Sequence, residues 1–88
     1  MRIKVKYMLW LREKIGIEQE EFKLDRETTL ENLVRMIILK HREAEKYLSN
    51  IFSDNNPFII LVNGRPGRKN YILKDNDLVT ILPPVSGG

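Results

Sequence analysis

The chain has 88 residues, of which 42% are hydrophobic and 31% charged, a composition typical of one small globular domain and not of a disordered segment. It contains no cysteine, which excludes disulfides, thiolate metal ligands and a cysteine nucleophile. The net charge is +3, but the fifteen basic residues are scattered among twelve acidic ones, which argues against a continuous surface for nucleic acid.

The densest group of basic residues lies in an apparent turn at residues 65–69, which favours a solvated hairpin over a phosphate-binding site. The first residues lack the apolar core of a signal peptide. The longest apolar run, at residues 58–62, is too short to cross a bilayer. We therefore expect a cytoplasmic protein.

The first part of the chain predicts two paired strands joined by a short helical segment. Apolar and charged residues alternate over residues 2–7, as in a half-buried strand. Residues 9–15 can form one or two helical turns, and Gly16 would end them because glycine is common after the last helical residue. A second strand is predicted over residues 18–24, paired with the first as a hairpin.

The main helix is predicted to begin near Thr28, which has Glu31 three residues later, the spacing of a capping box with Thr28 as the N-cap. Six residues at helical spacing form one stripe that can lie across a sheet: Leu30, Leu33, Val34, Ile37, Ile38 and His41. We expect the ring of His41 to cap the last carbonyl groups of the helix. A polar amphipathic segment follows at residues 42–50.

The last third of the chain predicts strands separated by tight turns. The run at residues 58–62 has apolar residues on both faces, which suits a strand covered on both sides. Asn63 followed by glycine favours a turn with positive backbone φ angles. Residues 71–73 are predicted as a short strand or bridge, Asn76 as a left-handed turn residue, and residues 78–82 as the last strand.

This order of elements describes an α+β domain with the β-grasp, or ubiquitin-like, fold. We expect a mixed sheet of four to five strands packed on one main helix, with the first and last strands parallel at its centre. The predicted domain spans residues 1–82, and residues 83–88 form a flexible C-terminal tail.

The sequence shows no grouping of side chains typical of catalysis or of metal binding. Asp75 and Asp77 flank a turn asparagine and are interpreted as turn formers. The candidate reactive group is therefore the carboxylate of Gly88, at the end of a tail that reaches about 20 Å when extended. Pro83 and Pro84 stiffen the base of this tail, and two glycines without side chains suit a narrow channel.

The tail at residues 83–88, Pro-Pro-Val-Ser-Gly-Gly, resembles the terminal motif of the MoaD/ThiS family of ubiquitin-like sulfur carriers, and among them the small subunit of molybdopterin synthase. The resemblance covers essentially the whole chain. Three further stretches carry it: Leu11-Arg12-Glu13 with Gly16, Val62-Asn63-Gly64, and Leu73-Lys74-Asp75 with Asp77 and Val79.

The resemblance implies that an activating enzyme adenylates the carboxylate of Gly88 with ATP and that a sulfur donor replaces AMP, leaving a thiocarboxylate. The tail then enters the large catalytic subunit of molybdopterin synthase, where its sulfur becomes part of the dithiolene of molybdopterin. The chain itself would bind no cofactor or metal, and ATP would be used by the activating partner. The implied reactive residues are Gly87 and Gly88, and the implied partner-binding tail residues are Pro83, Pro84, Val85 and Ser86.

The predicted sheet has an otherwise polar face on which Met8 and Leu82 point outward near the root of the tail. These two residues suggest a docking patch, unless loops of the chain cover them. Arg12 is a candidate charge contact for the activating enzyme.

Two other functions stay open at this point. The same terminus would serve a ubiquitin-like modifier joined to lysines of other proteins. A passive module that binds protein or RNA would need no reactive tail. Nor does the sequence decide between the molybdopterin pathway and the thiamine or tRNA pathways that related carriers serve.

Overall fold

A computed structural model describes residues 1–85. Over these residues the chain forms five strands: β1 (Arg2–Tyr7), β2 (Gln19–Lys23), β3 (Ile59–Val62), β4 (Arg65–Pro66) and β5 (Leu78–Leu82). It also forms three α-helices, α1 (Leu9–Ile15), α2 (Leu30–Lys40) and α3 (Glu45–Leu48), with one 3-10 turn (Arg42–Ala44) before α3.

The strands form one mixed sheet in the order β2-β1-β5-β3-β4. Strands β1 and β5 are parallel neighbours, and the other three pairs are antiparallel. The inward side chains of β1, β3 and β5 are buried together with the apolar stripe of α2. The predicted β-grasp fold, with its parallel central strands, is confirmed.

Helix α1 spans the predicted residues and ends at Gly16, which has a φ of 97° and donates its N–H to the carbonyl of Arg12 at 2.8 Å. Three turn residues also have the positive φ angles expected of them: 51° at Asn63, 83° at Gly64 and 70° at Asn76. These residues close the connections that bring β4 and β5 back into the sheet.

Helix α2 begins one residue later than the capping box predicted. Thr29 is the N-cap, and its hydroxyl accepts the N–H of Asn32 at 3.2 Å. The hydroxyl of Thr28 donates instead to the carbonyl of Arg26 at 2.9 Å. The N–H of Glu31 is taken by the carbonyl of Lys69 at 3.0 Å, so a loop distant in sequence decides which threonine caps the helix. The predicted role of Thr28 is wrong.

The ring of His41 does not cap the carbonyl groups of α2. Its Nε2 lies 2.7 Å from Oε2 of Glu20, a carboxylate whose side chain is only 7% exposed. The Nζ of Lys40 lies 2.7 Å from the other oxygen, and the hydroxyl of Tyr7 donates to Oε2. Burial raises the pKa of Glu20, but these partners outweigh burial and lower it below its usual range.

No helix within residues 1–85 combines the length and the apolar character needed to cross a membrane.

Candidate functional site at the end of strand β5

The last strand leaves the sheet between two neighbours. Tyr7 pairs with Ile81 in the parallel register, and Ile59 pairs with Leu82 in the antiparallel one. The N–H of Met8 donates to the carbonyl of Ile81 at 3.0 Å, which continues the pairing one residue beyond β1. Leu82 is therefore flanked by Met8 on one side and Ile59 on the other.

Apolar side chains collect on the outer face of the sheet at this point. Ile59 is 53% exposed, and Met8, Leu61 and Leu82 are partly exposed. Because antiparallel partners share a face, Leu82 lies on the side of Ile59, and Leu61 lies with Thr80. We call Met8, Ile59, Leu61 and Leu82 the outer apolar patch.

Ile59 and Leu61 were not predicted to belong to this patch. Their apolar run predicted a strand covered on both faces, and this is wrong because only Ile60 and Val62 are buried. Buried and partly exposed residues alternate along β5, and its partly exposed residues Thr80 and Leu82 pair with Leu61 and Ile59. This alternation is the signal that could have placed Ile59 and Leu61 on the outer face.

The base of the tail packs against the domain. Pro83 is buried and Pro84 is partly buried, whereas Val85 is 85% exposed. Val85 is thus the first residue after β5 whose side chain is mostly exposed. The predicted sites Ser86, Gly87 and Gly88 lie outside the described residues, so their roles remain predictions.

Trp10 holds this base in place. Its Nε1–H donates to the carbonyl oxygen of Pro84 at 3.0 Å. The indole ring meets the rings of Tyr47 and Phe58 edge to face, with centroids 5.4 and 5.8 Å apart. Sequence reasoning missed this contact because the two bonded residues are 74 positions apart and no local pattern links them.

Arg12 lies on α1, and its Nη1 is 3.4 Å from Oε1 of Glu18. Both side chains are about half exposed, so this surface ion pair adds little to stability and leaves the guanidinium accessible. Its role as a partner contact remains a prediction.

The carboxylates of the β5 turn are occupied by structural partners. Asp77 is 5% exposed and accepts hydrogen bonds from the N–H of Lys74, from Asn63 and from Tyr71. Asp75 accepts the backbone N–H of Arg2 at 2.8 Å. Asp77 therefore stabilises its own turn, as the sequence indicated, whereas the carboxylate of Asp75 joins that turn to β1. Within residues 1–85 no three histidine, aspartate or glutamate side chains are grouped as metal ligands.

Sequence comparison identifies the family of this chain. A model of the ThiS family matches residues 5–88. The chain belongs to the ThiS family. This ThiS-family chain is 35% identical over 89 residues to the molybdopterin synthase sulfur carrier subunit of Chlamydomonas reinhardtii, and the match covers 100% of both chains.

Solved structures show the same fold. The putative molybdopterin converting factor subunit 1 of Pyrococcus furiosus has a TM-score of 0.84 and 29% identity, over 97% of this chain and 99% of its own. The small archaeal modifier protein 1 of Methanosarcina acetivorans has a TM-score of 0.73 and 29% identity, over 99% and 96%. A complex of subunits 1 and 2 of the molybdopterin-converting factor of Helicobacter pylori 26695 gives 0.66 and 26%, over 100% of both chains. Relatives named as carriers and as modifiers thus share the architecture of this ThiS-family chain.

Proposed function

We propose that this chain is a ubiquitin-like sulfur carrier, the small subunit of a molybdopterin synthase, and that Gly88 carries the sulfur. The observation that carries the proposal is the 35% identity to a molybdopterin synthase sulfur carrier subunit over the full length of both chains. The geometry is consistent with it, because Val85 is exposed and lies three residues after Leu82 of the outer apolar patch.

The proposed chemistry uses the carboxylate of Gly88 and the active sites of partners. A carboxylate oxygen attacks the α-phosphorus of ATP, and pyrophosphate leaves. Sulfur at the level of hydrosulfide, supplied by the sulfur donor, then attacks the acyl carbon, AMP leaves, and loss of the proton on sulfur gives a terminal thiocarboxylate. Gly87 and Gly88 have no side chains, so a narrow channel can close around the reacting end. The chain contributes presentation and the partners contribute catalysis.

Two partners follow from this cycle. The first is an adenylating enzyme that uses ATP, with Arg12 as a candidate contact. The second is the large catalytic subunit of the synthase, which would receive residues Pro83 to Gly88 and dock on the outer apolar patch. Support for the second partner comes from the Helicobacter pylori neighbour, whose structure was solved as a complex of subunits 1 and 2.

A specific neighbour also favours a second function. The small archaeal modifier protein 1 of Methanosarcina acetivorans is 29% identical to this chain. In this alternative, the same activated Gly88 acylates lysine ε-amino groups of other proteins and AMP is the leaving group. Both functions need the terminal glycine, and they differ in the acceptor.

An intact-mass measurement on the chain isolated from its own cells tests the proposal. The carrier function predicts a fraction whose mass is raised by the exchange of one oxygen for one sulfur at the terminus. Ladders of conjugates linked through Gly88 to lysines would instead establish the modifier function. Detection of neither species would leave a binding module as the better description.

A variant lacking Gly88 provides the second test, with Asp54→Ala on the exposed surface as its control. Both variants should melt at the temperature of the unaltered chain, because Asp54 is exposed and Gly88 lies outside the predicted domain of residues 1–82. Only the Gly88 deletion should abolish molybdopterin formation in a reconstituted synthase. Undiminished formation by the truncated chain would refute the proposed mechanism.

A further inference from the structure

The tail is fixed to the domain at one point beyond the last strand. The indole N–H of Trp10 donates to the carbonyl of Pro84, the last residue before the exposed Val85. The neighbouring Pro83 is buried. Because a proline has no N–H, Pro84 makes its backbone hydrogen bond through its carbonyl alone, and that group is held by the indole.

Trp10 is itself held from two sides. The edge-to-face contacts with Tyr47 and Phe58 fix the plane of its ring. Tyr47 lies on α3, and Phe58 directly precedes β3. Edge-to-face pairs at such distances stabilise a defined ring orientation. Contacts among α1, α3 and Phe58 therefore orient the indole N–H towards the carbonyl of Pro84.

The backbone before Trp10 is also unusual. Leu9 has a φ of 50°, in the left-handed region that is unfavourable for a residue with a β-carbon. On its N-terminal side, Met8 is bonded to the carbonyl of Ile81 on β5. This sharp turn starts α1 directly beside the last strand and so brings Trp10 over the root of the tail. Unfavourable backbone angles of this kind persist where the surrounding structure fixes them, and they cluster at functional sites.

We propose that Trp10 is a positioning residue that sets the point and direction from which the reactive tail leaves the domain. The inference rests on the proposed function, since it concerns delivery of Gly88 to the adenylating enzyme. With Pro84 held, the carboxylate of Gly88 is four residues from the fixed point, an extended reach of about 13 Å, against about 20 Å for six residues. A shorter free segment loses less conformational entropy when an active site threads it.

An ordinary packing role for Trp10 predicts something different. A ring that only fills space between Tyr47 and Phe58 needs no N–H partner on the tail, and replacing it with another aromatic ring would leave the tail unchanged. The Trp10→Phe variant separates the two roles because it keeps an aromatic ring and removes the donor. Tyr47→Phe is the matched control, since it alters a ring of the same cluster and leaves the donor in place.

Two readouts are needed. The first is ¹⁵N relaxation of the Val85 amide in the free chain, together with hydrogen exchange of the Trp10 indole N–H in the unaltered protein. The second is pyrophosphate release by the adenylating enzyme from the same organism, measured with ATP over a range of carrier concentrations to separate KM from kcat.

We expect a protected indole N–H in the unaltered chain and faster motion of Val85 in Trp10→Phe. We also expect the KM for the carrier to rise about twofold to tenfold, the range that one net hydrogen bond accounts for. The kcat should change less than about twofold, because the chemistry at Gly88 is unaltered, and Tyr47→Phe should match the unaltered chain in both readouts.

An unprotected indole N–H would overturn the inference without any variant, as would unchanged motion of Val85 or an unchanged KM in Trp10→Phe. A fall in kcat at constant KM would also overturn it, since that result places the effect in the chemical step. If the unaltered chain is not adenylated at all, the proposed function fails, and the two measurements on the free chain still report whether Trp10 holds the tail.

Discussion

The carboxylate of Asp77 accepts a hydrogen bond from the side-chain amide of Asn63, with 2.8 Å between Oδ1 and Nδ2. The amide oxygen of Asn63 in turn accepts the N–H of Leu78 at 2.9 Å, at the first residue of β5. The other oxygen of Asp77 is bonded to the hydroxyl of Tyr71 and the N–H of Lys74. Asn63 and Asp77 therefore join the turn after β3 to the start of β5, the strand that leads to the tail.

We expect Asp77→Asn to lower the free energy of unfolding by about 2 kcal/mol. Both oxygens of Asp77 accept hydrogen bonds, and asparagine would place an NH₂ donor against one of these donors. Urea denaturation followed by circular dichroism measures the change. Asp75→Asn is the matched control, since the exposed Asp75 accepts one N–H that an asparagine oxygen can also accept. A loss of the same size in the two variants would contradict the role given to the buried hydrogen bonds.

The unfolding free energy should also fall in acid. Burial raises the pKa of Asp77, but hydrogen bonds from Lys74, Asn63 and Tyr71 outweigh burial and lower it. A carboxyl whose pKa is lowered on folding contributes stability above its unfolded pKa near 4, and this contribution is lost as the pH falls through the folded value. Glu20 contributes with the same sign.

Thermal melting between pH 7 and pH 2 measures this dependence. The melting temperature should be steady near neutrality and fall below about pH 4. Asp77→Asn should show a shallower fall than the unaltered chain, because one of the two linked carboxyl groups is gone. An identical pH profile for the two proteins would show that Asp77 does not carry the dependence.

Gly67 is placed where a side chain does not fit. A β-carbon there would lie 2.6 Å from Cδ2 of Leu30 and 3.0 Å from Cγ2 of Val62. Leu30 is fully buried, so it cannot move aside easily. We expect Gly67→Ala to cost about 1–3 kcal/mol of unfolding free energy, as overpacked core positions do.

Double-mutant denaturation distinguishes this clash from a backbone effect. In a Leu30→Ala background, where the clashing methyl group is absent, Gly67→Ala should cost clearly less than it does alone. At Gly64 an added β-carbon would meet no atom, but the φ of 83° is unfavourable for alanine. Gly64→Ala should therefore lower the unfolding free energy by the same amount in both backgrounds. Equal costs of Gly67→Ala in both backgrounds would exclude the clash with Leu30.

The outer apolar patch gives a prediction about docking. Leu82→Asp should raise the Kd for the large synthase subunit by about tenfold to a hundredfold, the loss expected when one leucine is no longer buried. Leu39→Asp is the control, because Leu39 is 64% exposed on α2, which packs on the other face of the sheet. Calorimetric titration measures both. Unchanged binding by Leu82→Asp would remove the patch from the interface.

Local sequence patterns were sufficient where neighbouring residues decide the conformation. The alternation in β1, the glycine that ends α1 and the positive φ angles at Asn63 and Asn76 each follow from the covalent chemistry of a few adjacent residues. The order of these elements then predicted the sheet, because few topologies accommodate it.

The errors arose where distant residues decide. Thr28 and Thr29 are equivalent as local caps, and the contact of Glu31 with Lys69 selects between them. The ring of His41 turns to a carboxylate 21 positions earlier. The bond from Trp10 to Pro84 was missed for the same reason, since it depends on the packed positions of α1, α3 and Phe58.

The parallel pairing of β1 with β5 also constrains how the chain is made. During synthesis β1, β2 and α2 leave the ribosome before β5, so the centre of the sheet stays open until β5 has emerged. Pairing over such a sequence separation is slow compared with local contacts. Until β5 is inserted, β1 and β3 present unpaired edges on which other chains can add. The outer apolar patch, to which Leu82 of β5 contributes, is therefore complete only after β5 has paired with β1 and β3.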